Sequence, residues 1–115
     1  INLKNLLLSN NMITSLIGLK DLINITYLSL YNNKIKNING IEYLSELTYL
    51  SLSNNRIEDI SILCGLNKLE ILFLESNKIK NIEPVKYLRN LNTLEIKLNK
   101  ITDFSVLDGF SCLIS

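Results

Sequence analysis

The sequence contains no histidine, and it has only two cysteines, one proline and four glycines among 115 residues. Without histidine it lacks the side chain that most often serves as a general acid or base and as a ligand of transition metals. It also lacks a glycine-rich phosphate loop and the G-x-S-x-G turn of serine hydrolases. We therefore expect neither an enzyme, nor a bound metal ion, nor a cofactor.

Excess charge and long apolar runs are also missing. The net charge is +1, which gives no general attraction to nucleic acid or to anionic lipid. No apolar run approaches the roughly 18 residues that a membrane-spanning helix needs, so we expect no membrane insertion. No secretion or transit signal is visible, and because the chain begins with Ile1 rather than Met we expect it to be a piece of a longer protein.

What the sequence does contain is a repeat of 22 residues, best seen in Leu69–Asn90. The same pattern fits five consecutive segments without insertion or deletion: Leu3–Asn24, Ile25–Glu46, Leu47–Lys68, Leu69–Asn90 and Leu91–Cys112. Repetition with a fixed period of this length is typical of solenoids, in which each unit is one coil. Residues 1–115 are thus predicted to form a single repeat domain, and we expect it to be part of a longer array.

Each repeat changes its spacing of apolar residues part-way along. The fourth and sixth positions are apolar and alternate with variable ones, which predicts a short strand with one buried face. These strands are expected near residues 5–9, 27–31, 49–53, 71–75 and 93–97. Apolar residues then recur every third position, which favours 3₁₀ turns and extended backbone over an α-helix.

The ninth position of every repeat is asparagine: Asn11, Asn33, Asn55, Asn77 and Asn99. An asparagine amide both donates and accepts, so one side chain can bond the turn of its own coil and that of the neighbouring coil. We therefore predict a structural ladder of five asparagines. The thirteenth position holds short polar residues suited to capping the next turn: Ser15, Asn37, Asp59, Asn81 and Asp103.

The two cysteines, Cys64 and Cys112, fall at different positions of the repeat and two repeats apart. Strands stack about 4.8 Å apart, so the two residues lie too far from each other for a disulfide bond. Both are interpreted as small hydrophobic side chains rather than reactive thiols. Unpaired cysteines favour a reducing compartment or a bacterial surface.

The pattern L-x-x-L-x-L-x-x-N-x-I-x-x-I-x-x-L-x-x-L resembles the 22-residue class of leucine-rich repeat, which includes bacterial internalins and the regulatory subunit of protein phosphatase 1. The resemblance implies an α/β solenoid: a right-handed superhelix with a parallel sheet on the concave face and 3₁₀ turns and extended segments on the convex face. The run Asn55-x-Ile57-x-Asp59-Ile60-Ser61 is similar to the internalin form. The run from Asn33 to Glu42 is equally similar to the phosphatase-subunit form.

The internalin resemblance, which we favour, implies a protein-binding module on the bacterial cell surface or secreted; the alternative is a cytoplasmic scaffold of the phosphatase-regulatory type. A structural spacer without a ligand is a third interpretation. Neither end carries the polar cap that is typical of terminal repeats. Terminal coils without caps expose Leu and Ile, so end-to-end self-association is also expected.

Partners of this class, as the resemblance implies, dock on the sheet face formed by the third, fifth and seventh positions. We predict a partner-binding group there: Tyr27, Tyr31, Tyr49, Ile71, Phe73, Glu75, Glu95 and Lys97. Aromatic residues are enriched at the energetic centres of protein interfaces. Alternatively, the rings only stabilise the sheet, by about 0.2–1 kcal/mol per cross-strand pair.

A second surface column, at the tenth position, is basic. Its members are Lys34, Arg56, Lys78 and Lys100. Such a column would suit an acidic partner or phosphate groups, and its alternative interpretation is a solvated edge beside the turns.

Overall fold

A computed structural model describes residues 2–110 of the chain. Residue 1 and residues 111–115, among them Cys112 and the end of the fifth repeat, lie outside the described residues. Five strands alternate with five 3₁₀ turns. They follow the order β1 (Asn5–Leu7), η1 (Ile17–Leu19), β2 (Tyr27–Ser29), η2 (Ile41–Tyr43), β3 (Tyr49–Ser51), η3 (Ser61–Gly65), β4 (Ile71–Phe73), η4 (Glu83–Tyr87), β5 (Thr93–Glu95) and η5 (Ser105–Gly109).

The strands form one parallel sheet in the order β1-β2-β3-β4-β5. Neighbouring strands pair with an offset of one repeat, so that Tyr27 is opposite Tyr49 and Tyr49 is opposite Ile71. Each crossover passes through a 3₁₀ turn on the opposite side, and parallel crossovers of this kind are right-handed. The predicted α/β solenoid, with a parallel sheet on one side and 3₁₀ turns on the other, is confirmed.

The strands begin where the sequence predicts and are two residues shorter than expected. Bonding between coils nevertheless continues beyond them, since the Leu8 N–H donates to Ser29 O over 2.9 Å and the Asn10 N–H donates to Tyr31 O over 2.9 Å. The regular strand conformation stops because the eighth position of each repeat has a positive φ. These residues are Asn10 (61°), Asn32 (60°), Asn54 (58°), Ser76 (57°) and Leu98 (58°).

Asparagine tolerates this left-handed conformation better than most residues, because its short amide bonds locally. In the first three coils the eighth-position amides also bond one another directly. Asn32 Nδ2 donates to Asn10 Oδ1 over 2.8 Å, and Asn54 Nδ2 donates to Asn32 Oδ1 over 2.9 Å. This column was not among the predicted features, although asparagine occupies it in three consecutive repeats.

The core is a stack of apolar columns running through the coils. Leu28, Leu50 and Leu72, at the fourth position, are fully buried. In the first coil the equivalent side chain, Leu6, is only partly buried because a neighbouring coil packs on one side of it alone. Burial of each coil therefore depends on the coils beside it, as in other solenoids.

The ninth-position asparagines bond two coils at once. Asn55 Nδ2 donates to Leu52 O in its own coil and to Leu30 O in the preceding coil, each over 3.0 Å. Its Oδ1 accepts the backbone N–H of Ile35 over 3.0 Å. The same arrangement recurs at Asn33, Asn77 and Asn99. Asn11 differs, since its Nδ2 donates to Leu8 O and Ser9 O of its own coil.

Thirteenth-position side chains accept a hydrogen bond from the backbone N–H two residues later. That N–H belongs to the first residue of the 3₁₀ turn in the first, third, fourth and fifth coils, and lies two residues before the turn in the second. In the third coil Asp59 Oδ1 accepts the Ser61 N–H over 2.8 Å, and in the fifth Asp103 Oδ1 accepts the Ser105 N–H over 2.9 Å. These bonds favour the charged carboxylate and lower the pKa of both aspartates.

The turn side of the solenoid holds two further features. Gly40 has a φ of 109°, and a Cβ atom there would lie 2.6 Å from the carbonyl oxygen of Leu16. Cys64 is free and lies exposed on η3, at the eighteenth position of its repeat, so it does not pack as a small hydrophobic side chain. Across residues 2–110, no helix has the length and apolar character to cross a membrane.

Candidate functional site

The open face of the sheet carries a row of packed aromatic rings. The rings of Tyr27 and Tyr49 stack with their centroids 4.0 Å apart and their planes at 4°. Phe73 ends the row. The centroid of its ring lies 5.7 Å from that of Tyr49, and the two ring planes meet at 75°. Parallel pairing explains the row, because it places Tyr27 directly opposite Tyr49 and places Phe73, which is opposite Ser51, diagonally across from Tyr49.

Tyr49 lies at the centre of the row and is half-buried. Its burial, reinforced by the adjacent Tyr27 hydroxyl and its charge when ionised, raises the pKa of Tyr49 to about 12. The Tyr49 side chain is therefore neutral at physiological pH. It offers an uncharged ring and a hydroxyl to anything that approaches the sheet.

The remaining aromatic and apolar members of the predicted group lie on the same face. Tyr31 is 44% exposed. Ile71 is half-buried and pairs with Tyr49 on one side and Thr93 on the other. The structure thus places Tyr31 and Ile71 next to the ring row, one at the seventh position and the other at the third.

Serines form the floor of this face. Ser51 is the last residue of β3 and Ser53 follows two residues later. Both occupy outward positions of the repeat, so the sequence predicts that they are exposed. Instead they are 5% and 2% exposed, respectively. Their side chains are short, and larger ones stand at equivalent positions of the neighbouring coils, namely Tyr31 and Glu75 beside Ser53. These serines are not among the predicted partner-binding residues.

A cavity of about 300 Å³ opens between the serines and the rings. Among the residues that line it are Ser51, Ser53, Tyr31, Tyr49, Phe73 and Glu75. Within the described residues, Ser53 Oγ is the one buried side-chain oxygen or nitrogen atom without a hydrogen-bond partner. Buried polar groups are nearly always bonded, so such an atom in a cavity wall needs an explanation.

Charged side chains stand at the β5 end of the face. Glu95 is opposite Phe73 in the sheet register and is half-buried, as is Glu75. Lys97 is exposed. Ion pairs among residues 2–110 are confined to Glu46–Lys68 and Glu83–Lys86, so the charges of Glu75, Glu95 and Lys97 are not neutralised by pairing.

Other regions of the surface are weaker candidates for a binding site. A cavity of about 470 Å³ lies beside the turns of the second and third coils, where Lys36 and Glu58 both contribute to its wall. The four basic residues at the tenth position are all exposed, and the backbone N–H of Arg56 bonds Ile35 O over 2.8 Å. In the part of the chain that the structure describes, no cluster of acidic and cysteine side chains is arranged to hold a metal ion.

The repeat pattern and the coil geometry agree with a family model. The model for Leucine Rich repeats (2 copies) matches residues 1–43 and again residues 45–87. The chain belongs to the leucine-rich-repeat family. The face carrying the ring row is accordingly the concave face of a leucine-rich-repeat solenoid, and the 3₁₀ turns lie on its convex face.

Among solved leucine-rich-repeat structures, two internalins of Listeria monocytogenes are similar to this chain. Internalin C2 is 39% identical with a TM-score of 0.92, over 96% of this chain and 49% of its own. Internalin F is 38% identical with a TM-score of 0.94, over 98% of this chain and 34% of its own. A leucine-rich-repeat protein of Leptospira interrogans, 24% identical with a TM-score of 0.72 over 98% of this chain and 36% of its own, shares the fold.

The chain thus spans about half the length of internalin C2 and about a third of internalin F. No protein of curated function matches its sequence. Leucine-rich-repeat proteins are protein-interaction modules and are typically binding scaffolds rather than enzymes. The resemblance to the internalin class of repeat is confirmed.

Proposed function

We propose that this chain is the recognition part of an internalin-like protein and binds a protein partner on its concave face. The observation that carries the proposal is the row formed by Tyr27, Tyr49 and Phe73 beside an open cavity. Rings held rigidly by stacking lose little conformational freedom when a partner covers them, which suits them to anchor an interface.

The binding group comprises the residues on the concave face that the sequence predicts. Its members are Tyr27, Tyr31, Tyr49, Ile71, Phe73, Glu75, Glu95 and Lys97. The aromatic and apolar side chains would supply most of the affinity, and the charged side chains at the β5 end would select the partner and speed its approach.

The alternative, that the rings only stabilise the sheet, accounts for less of the structure. Cross-strand stacking explains Tyr27 and Tyr49, whose rings lie 4.0 Å apart. It does not explain why Tyr31 remains 44% exposed or why the hydroxyl of Ser53 is buried without a partner. A surface that another molecule covers accounts for both.

We also propose that the protein is located at the bacterial cell surface or is secreted, as the resemblance to internalins implies. A cytoplasmic scaffold of the phosphatase-regulatory type is the second candidate. Fractionation of cells that express the parent protein separates the two. Recovery from the surface or the medium supports the internalin-like role, and exclusive recovery from the cytoplasm contradicts it.

Site-directed photo-crosslinking tests the binding face. A photoreactive phenylalanine analogue would replace Tyr31, on the concave face, or Tyr43, which is 52% exposed on the convex side of the same repeat. Crosslinks to a partner protein should form from position 31 and not from position 43.

Binding of the captured partner is then measured by calorimetry. Tyr31→Ala and Phe73→Ala should each weaken binding tenfold or more, whereas Tyr43→Ala should leave it unchanged. Equal crosslinking from both positions, or equal affinities of the concave and convex variants, would contradict binding on the concave face.

A further inference from the structure

The unpartnered hydroxyl of Ser53 lies in the wall of the concave cavity. The groups around it can all interact favourably with a positively charged hydrogen-bond donor. Glu75 is a carboxylate, which accepts hydrogen bonds and does not donate them when ionised. The serine hydroxyls can accept hydrogen bonds as well as donate them, and the faces of the rings carry negative partial charge. The cavity therefore lacks a positively charged group that donates hydrogen bonds, and a cationic side chain of a partner would supply one.

We propose that this cavity takes an arginine side chain of the protein partner. The inference rests on the proposed function, since it names the chemistry of the residue that the concave face receives. A guanidinium group has five N–H donors and no acceptor, and the carboxylate and hydroxyl groups of the wall can all accept from it. An anionic side chain would instead meet the unpaired charge of Glu75.

The rings provide the second contact. Tyr31, Tyr49 and Phe73 all line the cavity, so a planar cation entering it would lie against aromatic faces or edges. Arginine stacks on aromatic rings more readily than lysine does, because its guanidinium is flat and weakly hydrated. A volume of about 300 Å³ is at the lower end of ligand sites, which fits a single inserted side chain rather than a larger molecule.

The third contact is electrostatic. Glu75 lines the cavity and Glu95 is opposite Phe73 in the adjacent strand, and neither belongs to an ion pair within residues 2–110. Lys97, at the same repeat position as Glu75 in the next coil, is the positively charged member of the predicted binding group. Its charge repels an incoming cation. Removing that charge should therefore strengthen binding, whereas removing the charge of Glu75 should weaken it.

The experiment uses small probes and the whole chain. N-acetyl-arginine-N-methylamide is compared with the citrulline analogue, which has nearly the same shape and no charge. The probes are titrated against ¹⁵N-labelled protein at low ionic strength. The arginine probe should shift the amide signals of Ser53, Phe73 and Glu75, with an affinity at least fivefold higher than that of citrulline. Equal affinities for the two probes would overturn the inference.

Three variants locate the charge effect. Glu75→Gln should weaken binding of the arginine probe about fivefold, and Lys97→Gln should tighten it. Glu58→Gln, an exposed acidic residue beside the turns, removes the same charge elsewhere and should change nothing. If the Glu75 and Glu58 variants have equal affinities, the probe responds only to overall charge and the inference is wrong.

The partner captured by crosslinking separates this inference from the proposed function. A partner that loses affinity with Tyr31→Ala and keeps it with Glu75→Gln would support the concave face and reject the arginine. A partner indifferent to both variants would reject the concave face itself.

Discussion

The side-chain nitrogen of Asn55 lies 3.0 Å from the carbonyl oxygen of Leu30, in the preceding coil. The same side chain also bonds Leu52 O and the N–H of Ile35, so one amide closes the turns of two coils. Because all of these bonds are buried, water cannot replace them when the amide is removed.

Asn55→Leu, which keeps the approximate size of the side chain, should lower the free energy of unfolding by about 3 kcal/mol or more, since each buried backbone group left without a partner costs about 1–3 kcal/mol. Urea denaturation followed by circular dichroism measures the loss. Ser53→Ala is the matched control, because its hydroxyl has no partner to lose. Similar midpoints for the two variants would remove the structural role assigned to the asparagine.

Gly40 and Gly18 occupy the same position of two consecutive repeats and should respond in opposite ways to alanine. At Gly40 the new Cβ would meet Leu16 O at 2.6 Å with φ at 109°, so we expect a loss of at least about 2 kcal/mol. At Gly18 no atom lies within 4 Å of the Cβ position. There the substitution should be neutral or stabilise by up to about 1 kcal/mol, because it restricts the unfolded chain. Thermal unfolding of both variants checks the contrast, and equal changes would contradict it.

Leu98 is a bulky residue with φ at 58° and a side chain that is 76% exposed. The left-handed conformation costs an L-residue about 1–2 kcal/mol, and asparagine relieves part of this cost. Leu98→Asn should therefore stabilise the chain by about 0.5–1 kcal/mol, as measured by urea denaturation. Leu7→Asn is the control: Leu7 is 69% exposed but lies in β1, where asparagine has no such advantage. A gain at position 7 as large as at position 98 would show that removing exposed apolar surface, and not relief of strain, is responsible.

Asp59 and Asp103 make the stability of the chain depend on pH in acid. Their pKa values are lower in the folded state, because the backbone N–H of Ser61 or Ser105 bonds the carboxylate. This contribution is complete above the pKa of the unfolded chain and is lost as the pH falls through the folded value. Asparagine, which the second and fourth repeats already use at this position, keeps the turn without titrating.

The double variant Asp59→Asn, Asp103→Asn should therefore have a shallower dependence of its thermal midpoint on pH below about 4. Midpoints from pH 2.5 to 6 for the variant and the parent chain check this. Parallel curves would mean that these two turns make no contribution to acid sensitivity.

The stacking of coils was predictable because every apolar column serves the same purpose in each repeat. Leu28, Leu50 and Leu72 need only a common period to be recognised as one buried row. The ends of the strands were harder to predict. They depend on the backbone conformation of the eighth position, where Asn10, Asn32 and Asn54 suggest a positive φ but Ser76 and Leu98 do not.

The sequence predicts which residues lie on the binding face, but it does not predict how deeply each of them is buried. Alternation along β3 and the residues that follow it places Ser51 and Ser53 on the open face, and by alternation alone they should be exposed. Their burial depends on how far the side chains of adjacent coils extend, and on the closeness with which parallel pairing brings them together. For that reason the cavity beside Tyr49 could not be recognised from a single repeat.

The bonds between strands all point along the direction in which the coils stack, while the chain runs across it. A pull on the two ends of the array would therefore load these bonds in series, and we expect the coils to open one after another. Each opened coil would release 22 residues that had occupied about 5 Å of the stack, and so would lengthen the molecule by about 70 Å. The parallel sheet would then behave as an extensible tether between whatever holds its two ends.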